Sequence, residues 1–94
     1  MSRFDDFGIR KVVEGPVVSL YVRGDCAAAV GRTPAISQGA TGLMTEHGLA
    51  YLVWRDGVAL LVAKGVEISA TAKQIEEIRQ FTEDLTAALS TSLI

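Results

Sequence analysis

Ninety-four residues are enough chain for one hydrophobic core and too few for two, since domains commonly hold ~100–150 residues, so a single domain over 1–94 is expected. Apolar residues make up 49% of the chain and charged residues 21%, a balance that supplies a core and argues against wholesale disorder. Nine Lys plus Arg against eleven Asp plus Glu leave a formal charge of −2, and the basic residues are scattered from Arg3 to Arg79. That pattern lacks the basic stripe of a phosphate-led nucleic-acid binder, so no direct nucleic-acid contact is expected.

At the start of the chain, Asp5 and Asp6 stand where a signal peptide needs an apolar run, and no stretch approaches the ~20 apolar residues of a membrane span. The lone Cys26 precludes an internal disulfide and fits a reducing compartment, so the expected location is cytoplasmic, without a membrane segment. The run IRKVVEGPVVSLYVR then offers two β-rich segments, about 9–13 and 17–23, separated by Glu14-Gly15-Pro16. Val18, Leu20 and Val22 share one face of the second; Val17, Ser19, Tyr21 and Arg23 share the other.

Residues 24–40 hold three glycines and Pro34 without sustained periodicity, and are read as an irregular loop in which CAAAV can make one helical turn. A long connection of this kind is a natural place for specificity. A short strand at about 42–46 follows, reversed through His47-Gly48. Next comes the sharpest local signal, LAYLVWRDGVALLVA, in which Asp56-Gly57 suits the two positive-φ positions of a type I′ hairpin turn. Strands near 49–55 and 58–63 pair Arg55 with Val58, Trp54 with Ala59, Val53 with Leu60, Leu52 with Leu61 and Tyr51 with Val62. Alternation then puts Leu52, Trp54 and Leu61 on one face and Tyr51, Val53, Leu60 and Val62 on the other, both apolar.

From Ser69 the period changes. Ala72, Ile75, Ile78, Phe81, Leu85, Ala88 and Leu89 form the stripe of an amphipathic helix over about 70–90, and Thr71 with Gln74 has capping-box spacing. The fold class that follows is α+β: an antiparallel meander of four to five strands with one C-terminal helix packed on one face.

No residue pattern here announces a reaction centre. Cys26 as nucleophile with His47 as base is the one dyad the composition allows, and it depends on a spatial meeting that His47's turn-like setting and cysteine's ordinary role as a small hydrophobe argue against. One Cys and one His cannot supply the four N/S ligands of a structural zinc site, and no phosphate-cradling glycine motif occurs, so no metal or cofactor is expected. Asp5, Asp6, Asp25, Glu46 and Asp56 read as solvated or turn residues. Gly39-Ala40-Thr41-Gly42 has the form of an RNA-clamping loop, yet apparent strands rather than helices flank it, and it reads as a strand-entry turn. Arg23-Gly24-Asp25 spells an adhesion tripeptide but is ordinary turn chemistry after a strand, and Ser92-Leu93-Ile94 reads as a frayed terminus rather than a peptide ligand.

One helix covers only one sheet face, so the Tyr51, Val53, Leu60 and Val62 face needs another cover. Either the N-terminal segment with Phe4 and Phe7, or the 24–40 loop, folds over it, or it joins another chain as a homodimer or with a protein partner.

The run GPVVSLYVRG, followed by GLAYLVWRDGVALLVAKG and a closing helix, resembles the extracytoplasmic C-terminal domain of bacterial transmembrane anti-sigma factors over about 17–80. The resemblance implies a strand like Val17–Arg23 before a Gly-led strand, a Trp-bearing hairpin and a short helix, a periplasmic setting, and no catalytic residue. The zinc-binding, sigma-binding segment and membrane helix of a full family member are missing from this sequence. The expected function is that of a non-enzymatic regulatory or inhibitory module acting through contact with protein. A stand-alone inhibitor of a larger nucleic-acid-processing complex, of the kind mobile elements encode, is the alternative, and a small Cys/His-dependent enzyme a more distant one.

Overall fold

Four two-residue turns, Gly24-Asp25, Glu46-His47, Asp56-Gly57 and Lys64-Gly65, decide the architecture, because each returns the chain directly alongside the strand it has just left. The computed structural model describes residues 3–31 and 41–92. After a one-turn helix α1 (Arg3–Asp6) come β1 (Arg10–Glu14), β2 (Val18–Arg23), β3 (Cys26–Gly31), β4 (Thr41–Thr45), β5 (Gly48–Arg55), β6 (Val58–Ala63), β7 (Val66–Ser69) and the long helix α2 (Ala72–Ser92). The strands form one antiparallel sheet in chain order, β1 to β7.

The Asp56-Gly57 hairpin has the expected register at all five pairs, with φ of 53° at Asp56 and 78° at Gly57. Lys64 and Gly65 repeat the geometry at 49° and 81° and launch β7, whose pairing with β6 runs from Ala63↔Val66 to Leu60↔Ser69. The capping box also forms: the Gln74 amide donates to Thr71 Oγ1 at 3.1 Å, and the Thr71 amide donates to Gln74 Oε1 at 2.9 Å. Two backbone donors that the first helical turn cannot satisfy are thereby paired.

The core lies between α2 and one face of the sheet. Ile78, Phe81, Leu85, Ala88 and Leu89 are buried along the helix stripe, and Ala28, Leu43, Ala50, Leu61 and Ala63 are buried on the sheet beneath. Alanines at the centre of the sheet leave room for the helix to come close. At one flank Arg23 ties β2 to the helix: its Nη1 donates to Asp84 Oδ2 at 2.7 Å and to the Phe7 carbonyl at 3.1 Å, and its guanidinium carbon sits 5.6 Å from the Phe81 ring centroid. Both charged groups are partly screened from water, so removing either would leave the other partly buried without its partner, whereas the exposed Arg79 contacts with Glu76 and Glu83 contribute little.

Four expectations change. The sheet has seven strands, not four to five. CAAAV is not a helical turn but most of β3, its residues paired with β2 from Arg23↔Cys26 to Val18↔Gly31, so the irregular connection shrinks; its remainder, 32–40, lies outside the described residues. Thr41 and Gly42 lie inside β4 and pair with β3 on one side, while Gly42 also pairs with β5, rather than forming a strand-entry turn. The reversal expected at His47-Gly48 lies one residue earlier, with Glu46-His47 as the turn and Gly48, at φ 100°, opening β5.

Candidate interaction surface

The sheet face turned away from α2 is built by register alone. On β2 it carries Val18, Leu20 and Val22; Val22 pairs with Ala27 of β3, Ala27 with Gly42 of β4, Gly42 with Tyr51 of β5, and Tyr51 with Val62 of β6. Met44 stands opposite Leu49, and Val53 opposite Leu60. A continuous apolar band therefore crosses five strands. Met44 is 55% exposed, Val58 52% and Tyr51 39%, while Val53, Leu60 and Val62 are half-buried by their lateral neighbours.

The four residues Tyr51, Val53, Leu60 and Val62 do share this face, as alternation requires. The N-terminal segment does not cover it. Phe4 stacks on Tyr21 with ring centroids 5.0 Å apart, and Ile9 is buried in the core, which places the segment on the α2 side. The start of the anticipated 24–40 loop is a strand within the sheet and covers nothing. Among the described residues, no helix or strand lies across this face.

Ala27, Ala29 and Met44 belong to the same surface and were not visible as such in the sequence. In CAAAVG nearly every residue is apolar, so the two-residue alternation that marks a strand's faces has no contrast to show itself by. On the α2 side a smaller exposed group, Trp54, Val66 and Ile68, lies toward the β7 edge.

The Cys26–His47 dyad is not assembled. Cys26 opens β3 opposite Leu43, and His47 lies four residues farther along, past the end of β4, an offset of ~13 Å at ~3.3 Å per residue. The Cys26 thiol is buried and points at the Glu77 carbonyl at 3.7 Å, whereas His47 Nε2 is 3.7 Å from Glu46 Oε1 on the surface. Burial pushes the thiol's pKa up, and the nearby Glu77 carboxylate pushes in the same direction. The thiolate is thus scarce at neutral pH. Native Cys26 is expected to react with an aromatic disulfide reagent about tenfold or more slowly than in the denaturant-unfolded chain, measured by thiol release at pH 8. Equal rates would show an accessible, ionisable thiol.

An open depression lined by Arg23, Gly24, Asp25, Cys26, Glu77 and Gln80 sits beside that thiol, but its guanidinium is already held by Asp84 and Phe7. The same contacts occupy the arginine of the Arg23-Gly24-Asp25 tripeptide. No three His, Cys, Asp or Glu side chains gather in a metal-ligating group among the described residues, and no described helix is long and apolar enough to cross a membrane. No family model matches the chain, and neither a curated protein nor a solved structure is found similar to it.

Proposed function

We propose that the protein is a non-enzymatic regulatory domain that acts by binding protein through the open face of its sheet, with Tyr51, Val53, Leu60 and Val62 among the contact residues. The observation that carries this reading is the continuous apolar band opposite α2, from Val18 to Val62, with Met44, Tyr51 and Val58 projecting into water. Apolar area left wet forgoes about 25 cal/mol per Å², and patches of this extent on small domains mark contact surfaces. Whether binding inhibits or activates the partner is a property of the partner. The anti-sigma resemblance is compatible with such a role; it rests on β-pattern residues, which any meander supplies.

The test is site-specific photocrosslinking in the native cells. A photoreactive aromatic residue in place of Tyr51 is expected to give adducts of defined mass, and one in place of Glu83, on the solvent side of α2, to give none. Equal labelling from both positions, or none from either, would remove the open face as a protein-contact surface.

A further inference from the structure

We propose that the occupant of the open face is a second copy of this chain, two sheets packing face to face so that the dimer is a β-sandwich with an α2 helix on each outer side. The inference rests on the protein-contact reading above and adds the identity of the partner.

Area is the first argument. The apolar band crosses five strands, which at ~4.8 Å spacing and about five residues per strand at ~3.3 Å give a projected area of roughly 400 Å² per copy. The pair would then cover about 800 Å² in projection, and the relief of its side chains brings the accessible area it buries toward the ~1,000 Å² expected of a specific interface. Charge is the second. Among the described residues the middle of the face carries no ionised side chain; its charges lie at the flanks, Arg55 and Glu67 paired at 2.6 Å on one and Arg10, opposite Val22, on the other, so an identical surface meets no like-charge contact at its centre and an oppositely charged partner gains little there.

Relief is the third. Ala27, Ala29 and Gly42 form low ground at the centre of the sheet, directly beside the projecting Met44 and Tyr51. A twofold axis near β4 sets the high ground of one copy over the low ground of the other, the self-complementarity that an isologous contact needs. The sheet edges offer a poorer route. β1 is interrupted by an irregularity between Lys11 and Val13 and carries Arg10, Lys11 and Glu14, and β7 is only four residues long. Short, charged or bulged edges resist strand addition.

Sedimentation equilibrium of the purified full chain tests this. The wild type is expected at twice the 10.0 kDa chain mass in the micromolar range, and Met44→Glu and Tyr51→Glu to weaken association about 100-fold with unchanged circular dichroism. Val66→Glu, which puts a charge on the β7 edge from the α2 side of the sheet, should leave the dimer intact. A spin label at Met44→Cys in a Cys26→Ala background, with echo-detected distances, provides a second readout that needs no disruptive charge. Labels on facing sheets ~10 Å apart near the axis give a separation below roughly 25 Å. A wild type that stays monomeric at high micromolar concentration overturns the proposal, as does a dimer that survives both Met44→Glu and Tyr51→Glu, one dissociated by Val66→Glu, or label distances beyond that range. A monomer whose Tyr51 position still crosslinks to a different protein overturns the second copy alone and leaves the contact surface standing. A monomer without adducts overturns both.

Discussion

Phe81→Ala is expected to lower the free energy of unfolding by about 3–5 kcal/mol, the usual effect of truncating a fully buried aromatic residue. Phe81 has no exposed surface, sits at the middle of the α2 stripe between Ile78 and Leu85, and carries the Arg23 guanidinium over its ring. Alanine would leave a cavity and also remove the apolar surface against which the Arg23–Asp84 pair is held. A domain of this size has about 5–10 kcal/mol in total, so the variant should be barely folded at ambient temperature. Urea unfolding followed by circular dichroism reads the change. Tyr51→Ala gives the comparison: on a monomer, truncating a residue of the open face should cost less than about 1 kcal/mol. Protein concentration must be matched between the two, because association of folded chains adds apparent stability by mass action. If Tyr51→Ala proved as damaging as Phe81→Ala in a chain shown to be monomeric, the open face would have to be covered by the chain itself.

The elements legible in the sequence were those with a local chemical signature. Asp56-Gly57 set the hairpin, its register and the faces of Tyr51, Val53, Leu60 and Val62, because only a few residues accept two consecutive positive φ values. Thr71 and Gln74 marked the start of α2 because a capping box is a contact within four residues. The strands that were missed lack such marks. β3 is a run of small apolar residues with no alternation to detect, and the Lys64-Gly65 turn places a lysine at positive φ, where the penalty is met by the pairing of β7 with β6 rather than by local preference. The same gap hid half of the candidate surface. Its Ala27, Ala29 and Met44 positions join Tyr51 and Val62 only through pairings between strands, which become visible once β3 has a register.

Gly42 shows how much of the fold such pairings determine, and Gly42→Ala is expected to destabilise the protein by about 1–3 kcal/mol or more. A Cβ built at this position would lie 2.3 Å from the Ala50 carbonyl oxygen and 3.1 Å from its carbon. Both are backbone atoms, so no rotamer change relieves the clash. β4 and β5 must move apart where Gly42 pairs with Tyr51 and Leu43 with Ala50, and Ala50 is itself fully buried on the α2 side, so the shift is transmitted into the core. Gly31→Ala is the control. Among the described residues nothing lies within 4 Å of a Cβ built there, and its φ is outside the left-handed range, so alanine should be neutral or stabilise by about 0.4–1 kcal/mol through the lower entropy of the unfolded chain. Thermal unfolding of the two variants beside the wild type separates the cases: Gly42→Ala should melt roughly 4–8 °C lower for each kcal/mol lost, and Gly31→Ala at or above the wild-type temperature. Equal melting temperatures for all three would mean that β5 does not pass this close to Gly42, and that the β4–β5 register, on which the Gly42–Tyr51 step of the open face depends, is different in solution.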